Sequence, residues 1–413
     1  MRLVFLWSNR VVCCVSKRYS IKFPLLFVLG ASMNFNSEKR LLNPYPDYAV
    51  WRKEQPIWWA DDINAWVVSR YDDVRAIMKD AKKFSSQAMG ERDHEISLPL
   101  LTDDPPKHTQ LRAIVNKAFT SKTLKAMELE VKDMVSTMLD QLDASRPVDI
   151  SADFTIPLPI AVISKLMGIP FAKKDDFKRW SDALTGTSSA NSLEERMPQI
   201  MEMAAFFQSL IPERRHNPGD DLISKIVAAE VDGRALEDME IVGFNMLLLI
   251  AGNETTTNLL SNLLNYLADH GELWKTLRAE PDKIDAAVEE ILRFDAPVHW
   301  VSRRATEDTL IADQLVKSGE NVFVLMGSAN RDESHYEDAD TFRLDRQKKQ
   351  DHHTFGHGIH FCIGAPLGRL EARYALAGLL ARFEKIAHAP DAKNERTNSS
   401  MLRGFHHLWV ELG

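Results

Sequence analysis

The sequence predicts a mainly α-helical fold with short β segments toward its two ends, and three observations carry that prediction. Apolar residues recur at helical spacing through most of the stretch from Asp72 to Phe294. Within it, one helical candidate runs without a break from about Glu237 to Ala268, which at ~1.5 Å per residue would cross a whole domain. Runs of β character, such as Trp66–Ser69 and Asn321–Leu325, stand outside that stretch.

In chain order, Trp66-Val67-Val68-Ser69 reads as a strand, followed by a helix from about Asp72 to Asp80. Helical periodicity returns from Pro106 to about Phe119, from Leu124 to Leu142, and from Ile156 to Met167, where Gly168 and Pro170 form a stop. Two further helices are expected at Lys173–Leu184 and Glu194–Ile211, and His216–Asp220 is a turn. The long candidate closes at Gly271, and another helix spans Lys283–Phe294. After Asp295-Ala296-Pro297 come short β pieces, then a last helix that begins after Cys362 and runs through Phe383, then a β-like C-terminus. No internal repeat or low-complexity segment interrupts the pattern.

Apolar residues make up 45% and charged residues 27% of 413, the balance of a globular protein with a sizeable core. The expected organisation is a single domain over 33–413, preceded by an extension, 1–32, that mixes Arg2, Arg10, Lys17, Arg18 and Lys22 with two apolar patches. The longer patch, Phe23–Ala31, contains Pro24 and falls far short of the ~20 residues of a membrane helix. A signal peptide, with Gly30 and Ala31 near its cleavage point, is the alternative. The long basic stretch favours an upstream extension, with Met33 as the natural start. A net charge of −8 without a basic stripe sets nucleic-acid binding aside. Cys13, Cys14 and Cys362 make no disulfide framework, which points to a reducing compartment and a cytoplasmic protein without a stable membrane anchor.

Chemistry concentrates in three places. The first is Phe355-Gly356-His357-Gly358-Ile359-His360-Phe361-Cys362-Ile363-Gly364, a glycine-rich loop leading into a helix. Glycines let such a loop turn tightly, and a helix N-terminus behind a cysteine favours its thiolate. The second is Glu290-Ile291-Leu292-Arg293, an ion pair at helical spacing. The third is Ala251-Gly252-Asn253-Glu254-Thr255, a polar cluster inside a helix whose preceding residues, Leu247–Ile250, are apolar all round. Such a conflict with core packing marks functional sites.

Together these segments resemble the cytochrome P-450 family over essentially the whole chain from Asn43 onward. The loop matches its F-x-x-G-x-x-x-C-x-G pattern through Phe355, Gly358, Cys362 and Gly364, with Gly356-x-Gly358 only brushing a dinucleotide fingerprint. The resemblance implies a prism-like fold with haem between the long central helix and the cysteine helix. Cys362 would be the thiolate ligand of a haem b iron. Ala251 and Gly252 would flank the oxygen site, and Thr255 and Glu254 would act as the alcohol and acid of proton delivery. Glu290 and Arg293 would lock structurally to Arg346, with Arg343 the alternative. In Asp104–Arg112, His108 and Arg112 match haem-propionate partners, as do Arg303 and His360. Ala312, Gly368 and Trp409 depart from the family pattern at a turn glycine, an alanine and a proline. The histidine pairs His352-His353 and His406-His407 are not expected to bind a second metal, because no carboxylate or cysteine completes either set.

The activity so implied is insertion of one atom of O2 into a C–H bond of a mid-sized apolar molecule. Two electrons would come from a separate ferredoxin and its NAD(P)H-fed reductase, docked near Lys107, Lys117, Lys122 and Lys125, to a monomeric enzyme. Substrate would be lined by the loop 85–100, the helices at 177–188 and 201–210, and Val298–Val301, with His299 rather than Trp300 pointing inward. A peroxide-driven or nitric-oxide-reducing relative and a non-catalytic haem sensor are the alternatives, and the retained Glu254–Thr255 pair argues against them.

Overall fold

The computed structural model describes residues 34–89, 98–187, 192–231, 233–347 and 350–413. The expected extension, 1–32, lies outside these, as does 90–97, half of the 85–100 loop. The folded unit is Asn34–Gly413.

The central helix, Asp238–Asp269, organises the molecule. Its first half packs Ile241, Phe244 and Leu249 against Phe177, Met203 and Phe207 of the helices Lys174–Thr185 and Leu193–His216. Its second half packs Leu260, Leu263 and Leu267 against Val131 and Val135 of the helix Ser121–Asp140, and against Leu376 and Leu379 of the cysteine helix, Ala365–Arg382. The helix therefore serves two separate cores, and its small and polar segment, 251–256, falls at the changeover between them. A cavity opens there because neither core supplies large side chains to fill it.

The β segments expected near the two ends join in one five-stranded sheet. Ala65–Val68 pairs parallel with Asn321–Val324, in register from Ala65 opposite Asn321 to Val68 opposite Val324. Around this pair the order is Ile57–Ala60, Ala65–Val68, Asn321–Val324, Val301–Ala305 and Phe84–Ser85. The C-terminal strand Trp409–Leu412 lies between Ile386–His388 and Val148–Asp149. Among the described residues no helix is long and apolar enough to cross a membrane.

The helical expectations hold to within a few residues, with informative departures. The helix expected to end at Ile211 runs on to His216 through Pro212. Burial of Phe207 and Ile211 against the first core outweighs the one backbone bond that proline removes. Gly271 does not close the central helix; His270 separates it from a further helix, Gly271–Ala279. The helices Tyr45–Glu54 and Leu222–Val227 also carried no clear periodic signal, the first being framed by Pro44 and Pro46.

Candidate active site

The cysteine loop closes on itself through one bond, the Cys362 N–H donating to the Phe355 carbonyl at 2.8 Å. Gly358 takes φ +73, and a Cβ there would lie 2.6 Å from the Met78 carbonyl oxygen, so the loop seats on the helix Tyr71–Lys79 only with glycine at this position. Cys362 is an exposed residue that lines the cavity, so it is reachable, while the protein around its sulfur desolvates it. Burial pushes its thiol pKa up, against the N–H groups of Gly364 and Ala365 and the Arg112 guanidinium. Metal coordination reverses that balance, because a metal-bound thiol gives up its proton.

Four basic side chains meet on one rim of the same cavity. Arg112 donates to the Phe361 carbonyl at 2.5 Å, and the rings of His108 and His360 lie 4.1 Å apart. Arg303 is buried, and burial draws its pKa down to about 10. Burial, and then the neighbouring His108, Arg303 and Arg112, push His360 down to about 3. Both ring nitrogens of the buried His108 lack a hydrogen-bond partner. The adjacent Asp104 is committed to Ser85 and Ser86, at 2.5 and 3.0 Å. A buried, unpartnered His108 imidazole beside the Arg112 and Arg303 guanidiniums fits a cofactor that brings carboxylates to this rim. The residues present therefore fit haem.

On the opposite wall Ala251, Gly252 and Thr255 line the cavity. A Cβ on Gly252 would stand 3.0 Å from the Ile163 side chain, so one fits only if Ile163 gives way by a few tenths of an ångström. The Thr255 hydroxyl donates to the Ala251 carbonyl at 2.7 Å, one turn back. Glu254 is not a lining residue. Its carboxylate turns into the protein, 3.4 Å from Lys178 and 3.3 Å from the Asn253 amide. Burial raises its pKa and the Lys178 ammonium opposes the rise.

The substrate-side expectations need two corrections. Val298 and Val301 face the cavity with Leu100, Leu247 and Leu248, but His299 does not. The segment before the strand Val301–Ala305 is not itself a strand, so alternation does not govern it. His299 is pinned on the other side, its N–H to the Met401 carbonyl and its Nδ1 3.1 Å from the Tyr48 hydroxyl. Burial lowers its pKa to about 3. Second, the helices at 177–188 and 201–210 supply no lining side chain among the described residues. Phe177, Trp180, Met203 and Phe207 are spent on the core.

Glu290 lies at the centre of a buried cluster. It takes Arg293 at 2.7 and 2.9 Å and Arg346 at 2.8 Å, while Arg343 offers only its backbone N–H. Sequence reasoning missed the neighbouring Glu289, which binds Arg369 and His352. It also missed Glu371, a buried carboxyl on the cavity wall with one oxygen unpartnered. Carboxylates do meet the histidine pairs after all: Glu289 at His352, and Asp149 at His407. They come from segments far away in sequence, which is why no local pattern showed them.

A cysteine, four basic side chains and the glycine-bearing stretch of the central helix that line one cavity fit the class of haem-thiolate enzymes. The chain belongs to the cytochrome P450 family, whose model (Cytochrome P450) matches residues 24–404. It is 40% identical to the putative cytochrome P450 YjiB of Bacillus subtilis (strain 168), over 86% of this chain and 90% of that one. It is 36% identical to the erythromycin C-12 hydroxylase of Saccharopolyspora erythraea, over 88% and 92%. The crystal structure of CYP109E1 from Bacillus megaterium in complex with testosterone superposes with a TM-score of 0.84 at 36% identity, covering 91% of this chain and 99% of that one. The protein is accordingly a P450 monooxygenase, and its family implies haem held by a cysteine thiolate.

Proposed function

We propose that the protein holds haem b through Cys362 and inserts one oxygen atom of O2 into a C–H bond of a neutral, mid-sized apolar substrate. The carrying observation is the cavity itself. Its basic groups sit on one rim, where a cofactor's carboxylates would meet them, the lone acid Glu371 is held toward its neutral form by burial, and Leu100, Leu247, Leu248, Val298 and Val301 give an apolar wall. With nothing ionic to grip, such a wall selects by shape and burial. Relatives named for work on a steroid complex and a macrolide suggest ligands of that size class.

When bound, haem supplies the oxygen activation and electron transfer that no side chain can. The chain's own residues do the rest. Cys362 would ligate the iron, and its N–H bond to the Phe355 carbonyl holds the residue in place. His108, Arg112, Arg303 and His360 would hold and orient the cofactor. Gly252 keeps the wall open, and the Thr255 hydroxyl, which now serves Ala251, is placed to donate into the cavity instead. Glu254 holds a proton between that wall and Lys178, which is partly exposed and links the carboxyl to solvent. Electrons come from a separate ferredoxin and its NAD(P)H-dependent reductase, in the cytoplasm, to a monomer. Exposed Lys117, Lys122 and Lys125, with exposed Ile359 and Phe361 beside the cysteine loop, support docking there. Lys107 is already held by Asp103 and Glu240.

The test is a titration with steroids, macrolides and fatty acids, read by the spin-state change of the haem absorbance, then turnover with NADH, ferredoxin and reductase. Product should form only with the full electron chain, and Cys362→Ala should lose the red-shifted band of the reduced carbon-monoxide complex. A thiolate-type band in that variant overturns the assignment of Cys362. Product from peroxide alone, at the same rate, overturns the ferredoxin dependence.

A further inference from the structure

The helix Ile284–Phe294 carries two adjacent acids that face different ways. Glu290 turns to Arg293 and Arg346. Glu289 turns to the cysteine helix and takes the Arg369 guanidinium side-on, Nε to Oε1 at 2.5 Å and Nη2 to Oε2 at 2.9 Å. The same carboxylate receives the His352 Nε2 at 3.1 Å, and both the acid and the imidazole are buried.

Both partners of Glu289 touch Phe355. The Arg369 guanidinium carbon stands 4.5 Å from the centre of its ring, and the His352 ring centre is 5.8 Å away. Phe355 in turn gives its carbonyl to the Cys362 N–H. The same stretch is tied down again where Thr354 donates to the Leu292 carbonyl at 2.5 Å and the His353 N–H to Asn330 at 2.6 Å. A bidentate ion pair fixes a guanidinium in direction as well as distance, which a point charge cannot do. Placed on an aromatic face, it also holds the ring.

We propose that Glu289, His352 and Arg369 form a positioning triad that fixes Phe355 beside the Cys362 sulfur and sets the field the thiolate feels. Arg369 brings a positive charge toward the sulfur, and Glu289 cancels most of it. The triad acts through Phe355 and through space, and none of its members touches the cysteine. This rests on the haem reading above, so the wild-type thiolate band is recorded first; without it that reading fails and the triad is not in question.

The measurement is the haem reduction potential of the holoenzyme in Glu289→Gln, Arg369→Gln and the double variant, beside the lifetime of the thiolate-type carbon-monoxide band. Removing the anion should raise the potential, removing the cation should lower it, and the double variant should return close to wild type. Simple loss of structure would move all three the same way. Arg369→Lys keeps the charge but not the planar fork, so it should hold the potential while its band decays at least tenfold faster. Native potentials in both single glutamine variants, or shifts of the same sign, overturn the field; a native band lifetime in Arg369→Lys overturns the positioning. Should Glu289→Gln fail to load haem, Arg369→Gln and Arg369→Lys decide the two claims by the same criteria.

Discussion

At the residue scale, Glu371 has the least ordinary environment. Its carboxyl is buried in the cysteine helix with one oxygen unpartnered, and burial alone raises its pKa well above the ordinary value of 4.5. An acid in that position stays protonated when folded, whereas the unfolded chain ionises it. The folded pKa is the higher one, so its contribution is complete below about pH 4.5 and is lost as pH rises. Glu371→Gln, which mimics the neutral acid, should match wild type near pH 4 and become the more stable protein above it. The gap should grow by about 1.4 kcal/mol per pH unit until the folded acid itself ionises. Thermal melts of both proteins across pH 4 to 8 check this, and parallel profiles would refute it. Val298 and His299 show how finely such roles divide. Val298→Phe should displace ligand and change the spin-state titration, because that side chain lines the cavity. His299→Ala should leave the titration alone but cost about 2–3 kcal/mol, since it opens a hole and strands the Tyr48 hydroxyl. Sequence alone places two adjacent residues near a pocket. Which one faces it depends on Met401 and Tyr48, more than a hundred and more than two hundred residues away.

At the scale of elements, legibility followed burial pattern and turn chemistry. The helix Ile284–Phe294 shows a broad buried face and was readable to within a residue. The helix Tyr45–Glu54 buries only Tyr48, Trp51 and Arg52, two of them through polar aromatic contacts, and lacks the aliphatic stripe that periodicity detects. The hairpin Thr309–Ile311 with Gln314–Val316 is the instructive case. Its two-residue turn opens with Ala312 at φ +48, at the position where the sequence departs from the family's glycine. A Cβ in the left-handed region costs roughly 1–2 kcal/mol, and glycine's extra freedom when unfolded returns about half of that. Ala312→Gly should therefore stabilise the protein by about 0.5 kcal/mol, and Ala312→Val should destabilise it by more. Denaturant midpoints at equal m-value measure both. An Ala312→Gly midpoint below wild type would show that the turn tolerates its alanine without strain.

At the scale of the whole molecule, the sequence disclosed the parts but not their joins. The cysteine loop and the glycine of the central helix were legible because each lies in a short run of distinctive residue types, whereas the basic rim was legible only as separate matches at 108–112, 303 and 360. The parallel pairing of 65–68 with 321–324 and the meeting of Glu289 with Arg369 are contacts across long separations, and nothing local encodes them. Glu290 shows what such a join is worth. Its carboxylate, almost wholly buried, binds Arg293 on its own helix and Arg346 from a segment fifty-six residues later. Arg346 then spends its remaining donors on the carbonyls of Glu337, Asp338 and Thr341. One side chain thus closes the irregular stretch that leads to the cysteine loop. Arg346→Ala would take one partner from the buried Glu290 carboxylate and the side-chain donor from the Glu337 carbonyl, while the Asp338 and Thr341 carbonyls keep the Thr341 N–H and Arg293, at a cost of about 3–5 kcal/mol. Arg343 reaches Glu290 only through its backbone, and its side chain pairs with exposed acids. Arg343→Ala should therefore leave both melting temperature and haem content unchanged, while Arg346→Ala lowers both, because the loop that presents Cys362 loses its anchor. Equal haem retention in the two purified variants would mean that the Phe355–Gly364 loop keeps its shape without the Glu290 join, and that Gly358 seated on Met78 is enough to hold it.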